Sequence, residues 1–275
     1  MESVLVGLDP PTMASEPLRW AAEYCRLTGA ELVAVVTQPL VSQPPREWYE
    51  AELARLRKQA EAALDALSPA IPHRLETCEG DPSSVMAGLA GDEGAGLVVV
   101  GAPGSDGFRA LALGTHQLPV PLVIVPSSDR APLAGPVVVG LDGSSTDGGA
   151  LAWAVRLAEV AEASVVAVYA ADPAAMSHPL QPGARAIEDK QTFLGEHVAA
   201  AVRPGVDIAT RVEDTDAVTA LTGVSDQVGA SLVVVGRGGE GQPGGVVVGR
   251  VPAELSFEAQ RPIVIVPPAR RVEGL

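Results

Sequence analysis

Sliding the sequence against itself by 133 positions lays Val4-Leu5-Val6-Gly7-Leu8-Asp9 on Val137-Val138-Val139-Gly140-Leu141-Asp142. The same shift superposes Trp20 on Trp153 and Leu32-Val33-Ala34-Val35 on Val165-Val166-Ala167-Val168. A shift of 135 places Leu97-Val98-Val99-Val100-Gly101 on Leu232-Val233-Val234-Val235-Gly236, and a shift of 141 places Leu122-Val123-Ile124-Val125-Pro126 on Ile263-Val264-Ile265-Val266-Pro267. Self-similarity that keeps its spacing over so much of a chain means one fold used twice, so the first-order expectation is two equivalent domains. The second copy carries six extra residues between its last two apolar runs. At 275 residues and 47% hydrophobic content the chain can supply a core to each copy. The boundary is expected in the Ser-, Pro- and Gly-bearing stretch 127–135, giving domains 1–130 and 134–270.

Within each copy, short β-branched runs bounded by Gly or Pro alternate with helical patterns, as in βαβ units on a parallel sheet. The runs are apolar throughout, which predicts strands covered on both faces. Strands are predicted at 3–9, 31–37, 73–78, 97–101 and 121–125, with helices at 14–28, 46–67 and 82–91. The second copy predicts strands at 136–142, 164–170, 206–212, 231–236 and 262–266, with helices at 146–161, 184–202, 216–228 and 250–259. The fold class is therefore α/β: two repeated, doubly wound, Rossmann-like open sheets of five mainly parallel strands. Right-handed crossovers in such sheets put ligands at the carboxyl ends of the strands.

Two features stand at those ends. An aspartate closes the first strand of each copy (Asp9, Asp142), and a glycine-rich segment follows the fourth. The segments read Gly101-Ala102-Pro103-Gly104, nine residues, Gly114-Thr115, and Gly236-Arg237-Gly238-Gly239, nine residues, Gly249-Arg250. Glycines at fixed spacing let backbone amides converge on phosphate oxygens where a Cβ would block the approach, and a following helix adds its dipole. Glycines would equally permit a long surface loop, and the aspartates could simply cap helices. The string Gly236-x-Gly238-x-x-Gly241 also fits the dinucleotide fingerprint, but it follows a fourth strand rather than a first.

The pattern G-x2-G-x9-G-[S/T] after an apolar strand, with an aspartate ending the first strand, resembles the ATP-binding motif of universal stress proteins. Gly29-Ala30-Glu31 before the second strand, Gly80-Asp81-Pro82 before the third helix, Gly107-Phe108-Arg109 in the loop and the closing Val-Pro agree with it. The resemblance implies an adenine-nucleotide α-hydrolase-like fold and ATP, with or without magnesium, as ligand. By position it implies Gly101, Gly104, Gly114 and Thr115 at the phosphates of the first copy, Asp9 near adenosine, and Val100 and Thr37 at the base. In the second copy the corresponding residues are Asp142, Ala170, Val235, Gly236, Gly239, Gly249, Arg250 and Val251. Each copy departs from the pattern in its own way. Only seven residues, two of them proline, separate Gly114 from the closing strand, which leaves no room for a helix. The second copy has that room, with Pro252 in the first turn where proline is tolerated. There, however, Arg250 stands where the hydroxyl residue belongs, either to bind phosphate or to fill the site.

Charge narrows the remaining choices. The net charge of -15 is spread evenly, 9 Lys and Arg against 17 Asp and Glu in residues 1–133 and 10 against 17 in the rest, which argues against a nucleic-acid partner. No apolar run reaches 18 residues and no signal-peptide pattern opens the chain, so no membrane association and a cytoplasmic location are expected. Cys25 and Cys78 read as packing residues, and His73, His116, His178 and His197 lack metal-site spacing, so no protein-only metal site is expected. No nucleophile–base constellation emerges, which favours a regulatory nucleotide binder over an enzyme, slow ATP hydrolysis or self-phosphorylation remaining open. The alternatives are a nucleotide-free scaffold acting by dimerisation or partner binding, and an adenylate-chemistry enzyme. The latter needs a Ser-Gly-Gly-x-Asp-Ser or His-x-Gly-His signature, and neither is present. By the same resemblance, apolar closing strands pair domain to domain, which implies an intramolecular pseudo-dimer and, beyond it, a homodimer.

Overall fold

The computed structural model describes residues 2–8, 16–38, 46–67, 71–92, 94–102, 118–126, 132–143, 147–172, 187–238, 249–258 and 260–268. The chain forms two compact units, Met1–Pro132 and Leu133–Leu275.

In the first unit β1 (Ser3–Gly7), α1 (Glu16–Thr28), β2 (Glu31–Gln38), α2 (Arg46–Asp65), β3 (His73–Glu79), α3 (Pro82–Asp92), β4 (Leu97–Gly101) and β5 (Leu122–Val125) follow one another. The strands lie in the order β3-β2-β1-β4-β5, and each pairing is parallel. The second unit runs β6 (Val137–Leu141), α4 (Asp147–Val160), β7 (Val165–Ala170), α5 (Ile187–Ala199), β8 (Ile208–Glu213), α6 (Ala217–Val228), β9 (Leu232–Gly236), α7 (Arg250–Glu258) and β10 (Ile263–Val266). Its order is β10-β9-β6-β7-β8, again parallel throughout. The repeated α/β architecture expected from the self-similarity is thus present.

Register repeats as well. Ser3 pairs with Glu31 and Val137 with Val165, the same separation in both units. At the other side Val98 pairs with Leu122 but Val233 with Ile263, so the six additional residues enter between β9 and β10 without disturbing either strand. They make room for α7, whereas residues 118–121 ahead of β5 carry no helix.

Burial follows from strand order. The inner strands β1, β4, β6 and β9 are, apart from Ser3, Val, Leu and Gly with their apolar side chains buried, because helices cover both faces. The outer strands β3 and β8 mix charged and polar residues with apolar ones, and none of their residues is fully buried. Trp20 (1% exposed) and Trp153 (5%) anchor α1 and α4 against their sheets at equivalent positions. Cys25 is buried on α1, and desolvation pushes its thiol up to about 12, so it acts as packing rather than chemistry.

Helix starts repeat too. Asp216 accepts backbone N–H bonds from Val218 and Thr219 at 3.0 and 3.1 Å ahead of α6, and Asp81 accepts one from Ser84 at 3.0 Å ahead of α3. Bonds from Thr219 hold the Asp216 carboxyl below its ordinary range, and bonds from Ser83 and Ser84 do so for Asp81. Substituting Asp216→Ala should lower unfolding stability by about 1 kcal/mol in denaturant titrations. The corresponding Asn variant, which keeps the acceptor, should lose only a fraction of that.

Candidate functional site

Strand order reverses at one place in each unit. From β1 the chain winds outward through β2 and β3, then returns to the other side of β1 for β4 and β5; β6 and β9 stand in the same relation. The crevice at a topological switch point lies outside the carboxyl ends of the two strands that flank it. In the second unit those ends carry Asp142 and the pair Gly236-Arg237.

The glycine segment returns on itself there. Arg237 donates its backbone N–H to the Val266 carbonyl at 2.8 Å, which continues the β9–β10 ladder by one step. Its own carbonyl accepts the Gly249 N–H at 2.8 Å, so the two ends of the loop meet where α7 begins. A Cβ on Gly249 would lie 3.3 Å from that carbonyl oxygen, 3.6 Å from the Gly238 Cα and 3.7 Å from Pro252 Cδ. A side chain there would press on the Arg237 carbonyl, which would have to give by a few tenths of an ångström. The amino end of α7 is thereby set beside the carboxyl end of β9, an arrangement suited to an anion.

Arg250, the residue in place of the hydroxyl, is 66% exposed and bonds Glu254 one turn along its own helix, with Nη1 3.2 Å from each carboxylate oxygen. Its guanidinium therefore lies on the surface of α7. Val251 is half-buried and Pro252 buried behind it. Arg237, by contrast, is half-buried, and desolvation lowers its guanidinium from the ordinary arginine range.

On the β6 side the sequence expectation needs a correction. Asp142 was expected to close the strand, yet β6 stops at Leu141. The Asp142 N–H turns instead to the Asp147 carboxylate, 3.2 Å from Oδ1 and 3.1 Å from Oδ2, and the Gly143 N–H donates to the same Oδ2 at 2.7 Å. Asp147 is the first residue of α4 and is 4% exposed. Burial first, and then the negative charge of Asp142, pushes its carboxyl up to about 7, against the pull of the two backbone donors.

Beyond them, α5 lays an aromatic row against the β6–β7 end. Phe193 Cζ would be 3.5 Å from a Cβ on Gly143, and the Phe193 ring meets Tyr169 edge-on at 6.3 Å and His197 at 4.3 Å. Lys190, 6% exposed, holds its ammonium 5.5 Å from the Tyr169 centroid, a cation–π geometry. Ala170, the last residue of β7, is half-buried next to Tyr169. Val235 is only 4% exposed, so its side chain belongs to the core beneath the site.

The second unit thus brings together Asp142, Ala170, Gly236 and the Gly249–Val251 turn at one sheet end, while Gly239 lies outside the described residues. In the first unit Val100 (6% exposed) and Gly101 end β4, and Thr37 sits half-buried near the end of β2, paired with Cys78. Ala102 donates to Val125 at 2.8 Å as Arg237 does to Val266. Asp9, Gly104, Gly114 and Thr115 lie outside the described residues. Where Tyr169 stands in the second unit, the repeat puts the buried Val36 in the first. Among the described residues no group of three His, Cys, Asp or Glu side chains could hold a metal ion, and no helix is long and apolar enough to cross a membrane.

Asp147, Lys190 and the Tyr169–Phe193 pair were not singled out from the sequence. The one signal available was the repeat itself, in which Asp147 falls on Ala14 and Tyr169 on Val36.

Comparison with known proteins agrees with this geometry. A profile of the universal stress protein family matches the chain twice, over residues 1–126 and 134–267. A universal stress protein of Mycolicibacterium smegmatis is 26% identical over 286 residues, covering 96% of this chain and 97% of that protein. One from Mycobacterium tuberculosis H37Rv is 26% identical over 291 residues, covering 95% of each. The crystal structure of a universal stress protein from Archaeoglobus fulgidus superposes with a TM-score of 0.70 over 96% of this chain and 98% of that one, at 15% identity, a likeness of fold. With the family matched in both units, over residues 1–126 and 134–267, this chain belongs to the universal stress protein family.

Proposed function

We propose that the protein is a regulatory, non-catalytic binder of ATP or a related adenine nucleotide, and that its second unit carries the working site. The observation that supports this most is the closure of the glycine loop by the Gly249 N–H on the Arg237 carbonyl at 2.8 Å, beside the amino end of α7. Closing the loop there sets the amino end of α7 and its dipole toward phosphate, and the half-buried Arg237 adds positive charge at the same strand end. Across the switch point Asp142 offers a carboxylate to the adenosine, and the Tyr169–Phe193 pair offers an aromatic wall of the sort that purine rings pack against. Asp9, Gly101, Gly104, Gly114 and Thr115 form the corresponding set in the first unit. In the sequence only seven residues, two of them proline, separate Gly114 from β5, so a helix of the length of α7 does not fit there and that set holds nucleotide more weakly. Magnesium would enter with the phosphates rather than on a protein site.

The signal passes on by contact with other proteins in the cytoplasm, a second copy of this chain included. Static light scattering that returns monomer mass across micromolar concentrations would remove the homodimer from this reading. The first unit favours a second reading for itself alone, a scaffold without nucleotide, on the ground of the short, proline-bearing stretch between Gly114 and β5.

Calorimetry with ATP and magnesium on the full chain and on Gly249→Val tests the proposal. The larger side chain pushes on the Arg237 carbonyl and opens the loop, and the affinity of the stronger site should fall at least tenfold, about 1.4 kcal/mol. Undiminished binding by Gly249→Val would move the site elsewhere. Failure of the parent protein to bind ATP, ADP or AMP would leave the scaffold reading.

A further inference from the structure

Asp147 does something that a helix-starting aspartate ordinarily does not. Its carboxylate reaches back to the N–H groups of Asp142 and Gly143, at distances of 2.7 to 3.2 Å, and so sets the direction in which the chain leaves β6. Both donors belong to the turn that carries Asp142, whose negative charge opposes that of Asp147. The first unit has Ala14 at the equivalent place. The sequence of the first unit therefore does not repeat this carboxylate.

We propose that Asp147 is a positioning residue for Asp142 at the second-unit site, and that the charge it carries tunes how tightly an anionic nucleotide is held there. The inference rests on the nucleotide reading above. With its proton, Asp147 donates to the Asp142 carboxylate and holds it as an oriented acceptor, leaving the second Asp142 oxygen for an N–H or O–H of the nucleoside. Without it, two carboxylates face each other in a space that is largely dry at Asp147. Asp142 is repelled toward solvent and away from the nucleoside, and a second negative charge is added at the end of the sheet that the anionic nucleotide approaches.

The charged and titratable groups around Asp147 do not offset this. β6 leads into Asp142 and β7 contributes Tyr169, over which Lys190 of α5 is placed. Farther along α5 is His197, packed on Phe193. β9 and β10 are Leu, Val, Ile and Gly throughout, with Arg237 just past β9. On α7 Arg250 is occupied with Glu254. Asp142 remains the charge that acts on Asp147. Because the Asp147 carboxyl is pushed up to about 7, its charge changes near neutrality, and a modest acidification of the surroundings would tighten binding.

The test compares the parent protein with Asp147→Asn, which is neutral at every pH and keeps an acceptor for the backbone donors. ADP affinity is measured at about pH 8 and about pH 5.5 for the site that Gly249→Val removes; ADP's own ionisation cancels between the two proteins. Near pH 8 the variant should bind roughly fivefold more tightly than the parent, and near pH 5.5 the two should agree. A ratio that does not change with pH would reduce Asp147 to a structural residue and overturn the proposal. Carbon-13 carboxyl titration of the nucleotide-free protein is run alongside. An Asp147 midpoint close to neutrality that carries the Asp142 signal with it supports the positioning role, and an ordinary carboxylate midpoint overturns it. If neither protein binds ADP at either pH, the nucleotide reading fails and with it the effect on affinity. The carboxyl titration then decides the positioning of Asp142 by itself.

Discussion

Replacing Gly135 with alanine should cost the second unit about 3 kcal/mol of stability, the sum of a strained backbone and a backbone clash. Gly135 precedes β6 with φ +125°, and a Cβ built on it would lie 2.6 Å from the Gly229 carbonyl oxygen and 3.5 Å from the Ser231 nitrogen. Neither obstacle is a flexible side chain. Gly229 closes α6 in the left-handed conformation, its N–H bonded to the Asp226 carbonyl, and Ser231 donates its backbone N–H to the Pro136 carbonyl at 2.8 Å. Relief would require moving the start of β6 away from the start of β9, which breaks that bond. Gly205→Ala is the control: its φ is +85° but nothing lies within 4 Å, so it should lose only about 1 kcal/mol from backbone strain. Hydrogen exchange reads both, with β1 and β4 amides as internal reference for those of β6 and β9. Equal protection losses in the two variants would show that the close approach to Gly229 carries no weight.

The second large effect is a rise in stability as pH falls, opposite to the usual behaviour of a carboxylate. Asp147 has a folded value of about 7 against an ordinary aspartate value of 3.8. Between those values the folded chain holds a proton that the unfolded chain has released, so acid favours the folded state. The contribution is complete below the lower value and lost as pH rises through the higher one. From about pH 8 to about pH 5 the second unit should gain about 2 kcal/mol. Carboxyls held low by their partners, Glu23 by Arg26, Glu52 by Arg55, and Asp81 and Asp216 by their helix-capping bonds, weaken the fold only as pH drops toward and below their ordinary values. That leaves the interval from 8 to 5 clear of them. Asp147→Asn should abolish the slope and match or exceed the parent at about pH 8, where the parent must ionise a buried group. Denaturant unfolding at several pH values decides it: a parent curve that is flat or falls with acid would mean that Asp147 is ionised throughout.

The sequence by itself determined the architecture, because the signals for it are local and repeated. Runs such as Val137–Leu141 and Leu232–Gly236 declare buried parallel strands through their own composition, and the 133-residue shift carries strand, helix and next strand together. Even the place of α7 was legible, since six additional residues had to be accommodated between two strands whose register is otherwise repeated. The motif glycines were legible for the same reason, being a spacing along the chain.

Only the tertiary structure decided what the side chains around those glycines do. Arg250 reads in sequence as a residue that either binds phosphate or fills the site; the helical turn that puts Glu254 four residues on draws it to the surface. Arg261, 5% exposed, donates through Nε to the Ala230 carbonyl at 2.8 Å and pairs with Asp226, joining the end of α6 to the start of β10. Partners 31 and 35 residues away meet only because β10 lies beside β9. Asp147 lies five residues from Asp142 in sequence, close enough for the pair to be noticed. What makes them one unit is the turn from β6 into α4 and the burial imposed by neighbouring strands, and desolvation belongs to the packed chain rather than to any residue in it.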